Sequence, residues 1–175
     1  MAVEQVWLAP YDPSWPSLFG EERVRVEETV GRWAKGIEHI GSTAVRGLDA
    51  KPVIDMMVGP KAMSDGDYCV EALIDLGYSS YWVEGAEPHH RLFVGFVNPA
   101  MTARTHNLHL VETGGRYWKD RLLFQDYLRE HPETGAKYAR LKYELARRYR
   151  DDREAYTRAK ADFVSGIVRL ASGAC

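Results

Sequence analysis

The sequence predicts an α+β fold: a mixed sheet flanked by helices, with a helical C-terminal third, in one domain spanning residues 1–175. Three observations predict it. From Gly36 to Val111 the chain is cut into short apolar and β-branched runs by Gly, Pro and Asn, the punctuation of strands and hairpins. Beyond Gly114-Gly115 the apolar spacing becomes helical. The 175 residues contain no repeat, low-complexity tract or linker, and that length buries one substantial core. The sheet core is expected over about 1–112 and the C-terminal helices over about 115–172.

Asp12-Pro13 or Ser14 opens a helix running to about Trp33, with Phe19, Val24, Val26 and Val30 apolar and Glu21 and Glu22 near its positive end. Gly36–Ile40 is a short strand. The turn at Gly41 leads through a short helix or loop to Leu48, and Val53–Val58 is a second strand in which Val53, Asp55 and Met57 share a face. Ser64 to Asp67 has capping-box spacing ahead of Val70, Leu73, Ile74 and Leu76, and Gly77 stops that helix. Tyr78–Val83, Arg91–Val97 and Thr105–Val111 are three further strands, joined as hairpins. Three helical runs follow, carrying Tyr117 to Leu128, Tyr138 to Tyr149 and Tyr156 to Leu170, with Pro132 between the first two.

Composition excludes the extreme classes. With 45% apolar and 27% charged residues and a net charge of −2, neither disorder nor wholesale nucleic-acid binding is indicated. No run approaches the roughly 20 apolar residues that cross a bilayer, and no basic-then-apolar leader is visible, so the cytoplasm is the expected location. Cys69 and Cys175 lie too far apart in sequence to suggest a disulfide framework, which leaves Cys69 as a small core residue.

The chemistry concentrates in residues 39–57. Gly41-Ser42-Thr43 after a strand offers backbone N–H groups and hydroxyls to a phosphate, although a capped tight turn has the same composition. Asp55 interrupts an apolar strand. Burying an ionised carboxylate without a partner is strongly unfavourable, so it requires a cleft, a metal or a cation such as Lys51. His106-Asn107-Leu108-His109-Leu110 puts Asn107 and His109 on one strand face and His106 on the other. His39 with Asp55 and His109 would form a ligand set for a transition-type cation, Mn or Zn, because imidazole favours those over Mg. His39 serves equally well as a hydrogen-bonded strand-end histidine. His89 and His90 read as a solvated hairpin tip. Residues 137–160 hold nine Lys or Arg against four Asp or Glu, either a solvated helix face or an electrostatic lid for an anion.

The run His39 to Val45, with Gly47-Leu48, Ala50-Lys51-Pro52 and Ile54-Asp55, resembles the first block of the GrpB family. His106 with Leu108-His109, then Phe124, Asp126 to Arg129, His131 to Glu133, Tyr138 and Leu141-Lys142, resemble its later blocks, so the likeness spans nearly the whole chain. It implies a nucleotidyltransferase-like fold in which Gly41-Ser42 hold nucleotide phosphates and Asp55 matches the first metal-binding acid. The second acid, expected two residues later, is Met57. Arg46 stands where the family usually has Pro and Asn107 where His is common, and Arg46 is placed to add a phosphate contact.

Three functions follow as expectations. The first is an enzyme that binds a nucleoside triphosphate and a divalent metal (Mg or Mn, with Zn possible) and transfers a nucleotidyl group to a small acceptor. Gly41, Ser42, Thr43, Arg46, Arg91 and Lys160 would hold phosphate; Asp55 and His109, with His39, the metal; Asp55, His109 and Lys51 would be catalytic. The second is a noncatalytic nucleotide or small-anion module, and the third a metal-dependent hydrolase or isomerase. No membrane partner is expected, and a pI near 6.3 with no nucleic-acid motif argues against nucleic acid.

Overall fold

The computed structural model describes residues 5–82, 90–96 and 104–173. Helix α1 (Trp15–Val30) leads into β1 (Ala34–Ile40), a 3-10 turn at Ser42–Ala44 and β2 (Ile54–Pro60); α2 (Gly66–Asp75), β3 (Ser79–Trp82), β4 (Arg91–Phe96) and β5 (Arg104–Leu110) follow. The C-terminal part is α3 (Arg116–Glu130), α4 (Pro132–Arg148), α5 (Arg153–Ala159) and α6 (Ala161–Ala171). The sheet order is β1-β2-β5-β4-β3, with β2 and β5 parallel and the other neighbours antiparallel. The mixed sheet with helical flanks is therefore the predicted α+β fold.

Side-chain alternation divides the sheet into two faces. Met56 and Val58 of β2 and Leu108 and Leu110 of β5 pack with Val26 and Val30 of α1 and Cys69 and Leu73 of α2. On the other face Met57 packs with Ile40, Val111 and Trp118. A Cβ on Gly36 or Gly59 would meet the Trp118 ring at 3.2 or 3.0 Å, so glycine lets α3 sit directly on the strands. Phe124, Leu128, Tyr138 and Ile167 join α3, α4 and α6 and cover Val45 and Leu48.

The last expected helix is broken at Lys160. Tyr156 of α5 is buried with Val6 and Ala146, against α4, whereas Ile167 of α6 packs with Phe124 and Leu128 of α3. Two different partners require two helix directions. The parts of the expected strands at Val83 and Val97 lie outside the described residues, as do His89 and Cys175.

Candidate functional site

The site begins at Gly41. Its φ of +75° lies in the left-handed region, which suits glycine, and a Cβ there would stand 2.8 Å from Asp55 Oδ2. The turn is thus folded directly over the carboxylate. Ile40 and Asn107 are the cross-strand neighbours of Asp55, and Asn107 Nδ2 donates to Asp55 Oδ1 at 2.7 Å. Arg104 Nη1 in turn donates to Asn107 Oδ1 at 3.2 Å, fixing the amide.

Ser42 faces α4. Lys142 Nζ donates to Ser42 Oγ at 3.1 Å and also to the carbonyl of Asp49, and Tyr138 shares a hydrogen bond with Ser42. Lys142 is only 2% exposed. Burial pushes its amine down to about 7, against the opposing pull of Asp49. Lys160, at the break between α5 and α6, is also held down to about 7, by burial first and then by Lys51, while Asp55 opposes the shift. Its Nζ lies 4.2 Å from the Tyr156 ring centroid, with Lys51 Nζ 5.5 Å from the same ring. Arg121 sits 4.6 Å from the Tyr117 ring and Lys142 4.8 Å from Tyr138. Three tyrosines therefore seat four cations, and stacking on ring faces offsets part of the cost of desolvating them. The phenols of Tyr117 and Tyr138 feel both Arg121 and Asp55, and burial pushes Tyr138 up to about 12.

His109 shares the Asp55 face one pleat along β5, opposite Met57. His90 Nε2 lies 2.8 Å from His109 Nδ1, and the Tyr117 hydroxyl lies 3.3 Å from the same nitrogen. Burial holds His109 well below its ordinary value, with His90, Arg121 and Arg153 adding to the effect; His90 falls to about 4, by burial and then Arg121. Both rings are neutral at pH 7. His90 is not a solvated tip: it is 4% exposed, packed between His109 and Tyr117.

Four expected site residues are placed elsewhere. His39 pairs with Met56, which puts it on the α1 face, opposite Asp55; it stacks on Phe19 at 4.6 Å and lies 3.0 Å from Thr43 Oγ1. Burial lowers it to about 4 despite Asp55. The expected Asp55, His39 and His109 ligand set is therefore divided between the two faces, and among the described residues no three His, Cys, Asp or Glu side chains form a metal-binding group. The Thr43 hydroxyl is occupied by His39. Arg46 is exposed and lines a groove with Leu128, Arg129 and Pro132, away from Asp55. Arg91 pairs with Leu110, on the α1/α2 face at the far end of the sheet.

Sequence reasoning gave no role to Lys142, Tyr138, Tyr156, Tyr117 or Arg121. The polar Lys142 within the apolar run Tyr138, Leu141 and Leu145 was the available signal.

The fold, rather than the site, has known counterparts. The Cid1 poly(U) polymerase, in its MgGTP-bound crystal structure, superposes with a TM-score of 0.52 at 15% identity, covering 79% of this chain and 44% of that one. The fold is nucleotidyltransferase-like. Within that class the chain belongs to the GrpB family, whose model matches residues 5–169. The crystal structure of GrpB from Enterococcus faecalis agrees at a TM-score of 0.83 and 29% identity, covering 94% of this chain and 96% of that one. A UPF0157 protein of Pseudomonas aeruginosa is 40% identical over 173 residues, 98% of this chain and 69% of its own length. A dephospho-CoA kinase of Mycolicibacterium paratuberculosis is 28% identical over 98% of this chain and 47% of its own length. No described helix is long and apolar enough to cross a membrane.

Proposed function

We propose that this protein binds a nucleoside triphosphate with its phosphates at Gly41-Ser42, and transfers the nucleotidyl group to a small acceptor. The supporting observation is the fold of the Gly41 turn over Asp55: it brings a backbone turn, a lysine-held hydroxyl and a carboxylate within one short segment facing four cations. In the reaction an acceptor oxygen bonds to the α-phosphorus, the bridging bond to the β-phosphate breaks, and pyrophosphate leaves while the acceptor proton passes to solvent. Ser42 and Lys142 orient the phosphates, and Lys160 and Lys51 oppose the charge developing on the leaving group.

A pair of metal ions does not fit these residues. Met57, where the second acid would stand, is fully buried against Ile40, Val111 and Trp118. One divalent ion fits, because Mg is commonly held by one or two carboxylates together with substrate phosphates and water. Asp55 would hold it, and it would supply Lewis-acid polarisation of a phosphoryl oxygen.

The test is pyrophosphate release from ATP, CTP, GTP and UTP with Mg or Mn and a pool of small acceptors, with dephospho-CoA among them because a relative is named for it. Release should fall at least about a hundredfold in Asp55→Asn, with the melting temperature little changed; wild-type rates from that variant would end the proposal. Met57 favours one other reading, a module that binds nucleotide without turning it over. Saturable nucleotide binding with no pyrophosphate from any acceptor would select it.

A further inference from the structure

Lys51, Lys142, Lys160 and Arg121 share one electrostatic field with the Asp55 carboxylate. Lys51 and Lys160 stand over one ring, Tyr156, and Lys51 and Lys142 each act on Lys160 as like charges while Asp55 is the carboxylate acting on it in the opposite sense. Arg121 adds a fourth positive charge to the same field. Lys142, enclosed and fixed to Ser42 Oγ and the Asp49 carbonyl, has Ser42 as its bridge to the glycine turn. Asp49 acts on Lys142 in the favourable sense, and its carboxylate also accepts from Tyr11 N at 3.1 Å and from the Tyr143 hydroxyl at 2.9 Å. Amines held close together in a half-buried site repel one another, and a polyanion placed among them relieves that repulsion beyond what a single carboxylate does. The position of the missing second acid is apolar, and the charge it would have recruited as a metal ion is supplied by side chains instead.

We infer that the polyphosphate of the ligand is gripped by the Lys51, Lys142, Lys160 and Arg121 cluster itself, so that binding needs no divalent metal. This rests on the phosphate-binding part of the proposed function and concerns how that site meets the ligand's charge. Asp55 then has opposite effects in the two descriptions. If a metal bridges protein and phosphate, removing Asp55 weakens binding; if the amines hold phosphate directly, Asp55 is a like charge to the ligand and its removal strengthens binding.

The experiment is calorimetric titration of the full chain with inorganic tripolyphosphate and, separately, with each of the four nucleoside triphosphates, in EDTA and in Mg. The expected results are tripolyphosphate binding in EDTA within about threefold of that in Mg, tightening by about three- to tenfold in Asp55→Asn, and weakening at least about tenfold in Lys160→Gln. Lys142→Met, of similar length, should weaken it comparably; circular dichroism and melting check folding, and the less buried Lys160 carries the test if Lys142→Met does not fold. Binding that vanishes in EDTA, or that Asp55→Asn weakens, overturns the inference while leaving the nucleotide proposal standing. Tripolyphosphate binding with no binding of any nucleotide supports the amine grip and ends the nucleotide proposal. No binding of either class ends both.

Discussion

The two faces of one sheet differ in what their residues are for. Along β2, Met56 and Val58 enter a dry core under α1 and α2, while their neighbour Asp55 lies half-buried in a polar cluster with Tyr138, Tyr156 and Lys160. Along β5, Leu108 and Leu110 face the first layer, and Asn107 and His109 the second. A change of one residue in register would exchange the two environments, because strand side chains alternate. The apolar face provides stability through burial, and the pocket face carries desolvated amines and imidazoles that only a ligand or a hydrogen-bond network compensates. The difference predicts that substitutions at Met56 or Val58 change folding, and those at Asp55 or Lys160 change binding first.

The largest folding effect is expected at Met56, which is fully buried among the α1 and α2 side chains. Met56→Ala should cost about 2–5 kcal/mol in urea denaturation, since the cavity adds to the lost transfer energy. Ligand affinity measured well below the melting temperature should remain unchanged. A loss of affinity as large as the loss of stability would show that the two faces are not separable.

Next comes a buried polar group on the dry face. Glu22 is 5% exposed, and its carboxylate accepts from the Tyr78 hydroxyl at 2.7 Å and from Arg25 Nη1 at 2.6 Å. Burial and Glu22 together raise the phenol's pKa. Tyr78→Phe keeps the ring and removes the donor, which should cost about 1–3 kcal/mol because a charged acceptor is left with one partner fewer. A neutral effect in thermal denaturation would mean that Arg25 alone satisfies Glu22.

Much of this division was legible in the sequence. Asp55 in an apolar strand and the alternating Asn107 and His109 identified the pocket face, because period-two alternation needs no tertiary information. Lys160 was assigned to the phosphates on charge alone, and its amine lies over the Tyr156 ring in the field of Asp55. His39 had two equal readings, a ligand beside Asp55 or a hydrogen-bonded strand-end histidine, and cross-strand register, which sequence does not contain, favours the second: Ile40, not His39, pairs with Asp55, and His39 lies 3.0 Å from Thr43 Oγ1. Register likewise places Arg91, through its pairing with Leu110, on the α1/α2 face. The three tyrosines were not identified as site residues because helical periodicity assigns them to an apolar stripe, and Lys142 was not because it counts among the nine basic residues of 137–160. Only the packing of α4 on the glycine turn shows that the stripe ends at the Asp55 cluster.

Gly41→Ala tests the join between turn and carboxylate. The substitution places a Cβ in a left-handed conformation and 2.8 Å from Asp55 Oδ2, which together should cost about 1–3 kcal/mol. Unlike Met56→Ala, it should reduce ligand affinity by more than its folding cost explains, because relief of the contact moves Asp55 or Ser42. Equal affinity in the folded variant would show that the turn does not fix the pocket.

The smallest effect at any single pH, and the most diagnostic, is the proton linkage of Lys142. Its folded-state value of about 7 lies below the ordinary lysine value of 10.5, so between those values the unfolded chain binds a proton that the folded chain does not. Stability must therefore rise with pH across that window, by up to about 1.4 kcal/mol per pH unit for one such group. Ligand binding runs the other way, since a phosphate needs the protonated amine and weakens as pH climbs above about 7. In Lys142→Met the rise in stability between pH 7 and 9 should shrink, leaving the part due to Lys160. Melting curves at half-unit intervals read this directly, and a wild-type stability that falls over the same interval would mean that Lys142 stays charged in the fold. The opposed pH trends of folding and binding would then place the cost of the pocket face on the same amines that recognise the ligand.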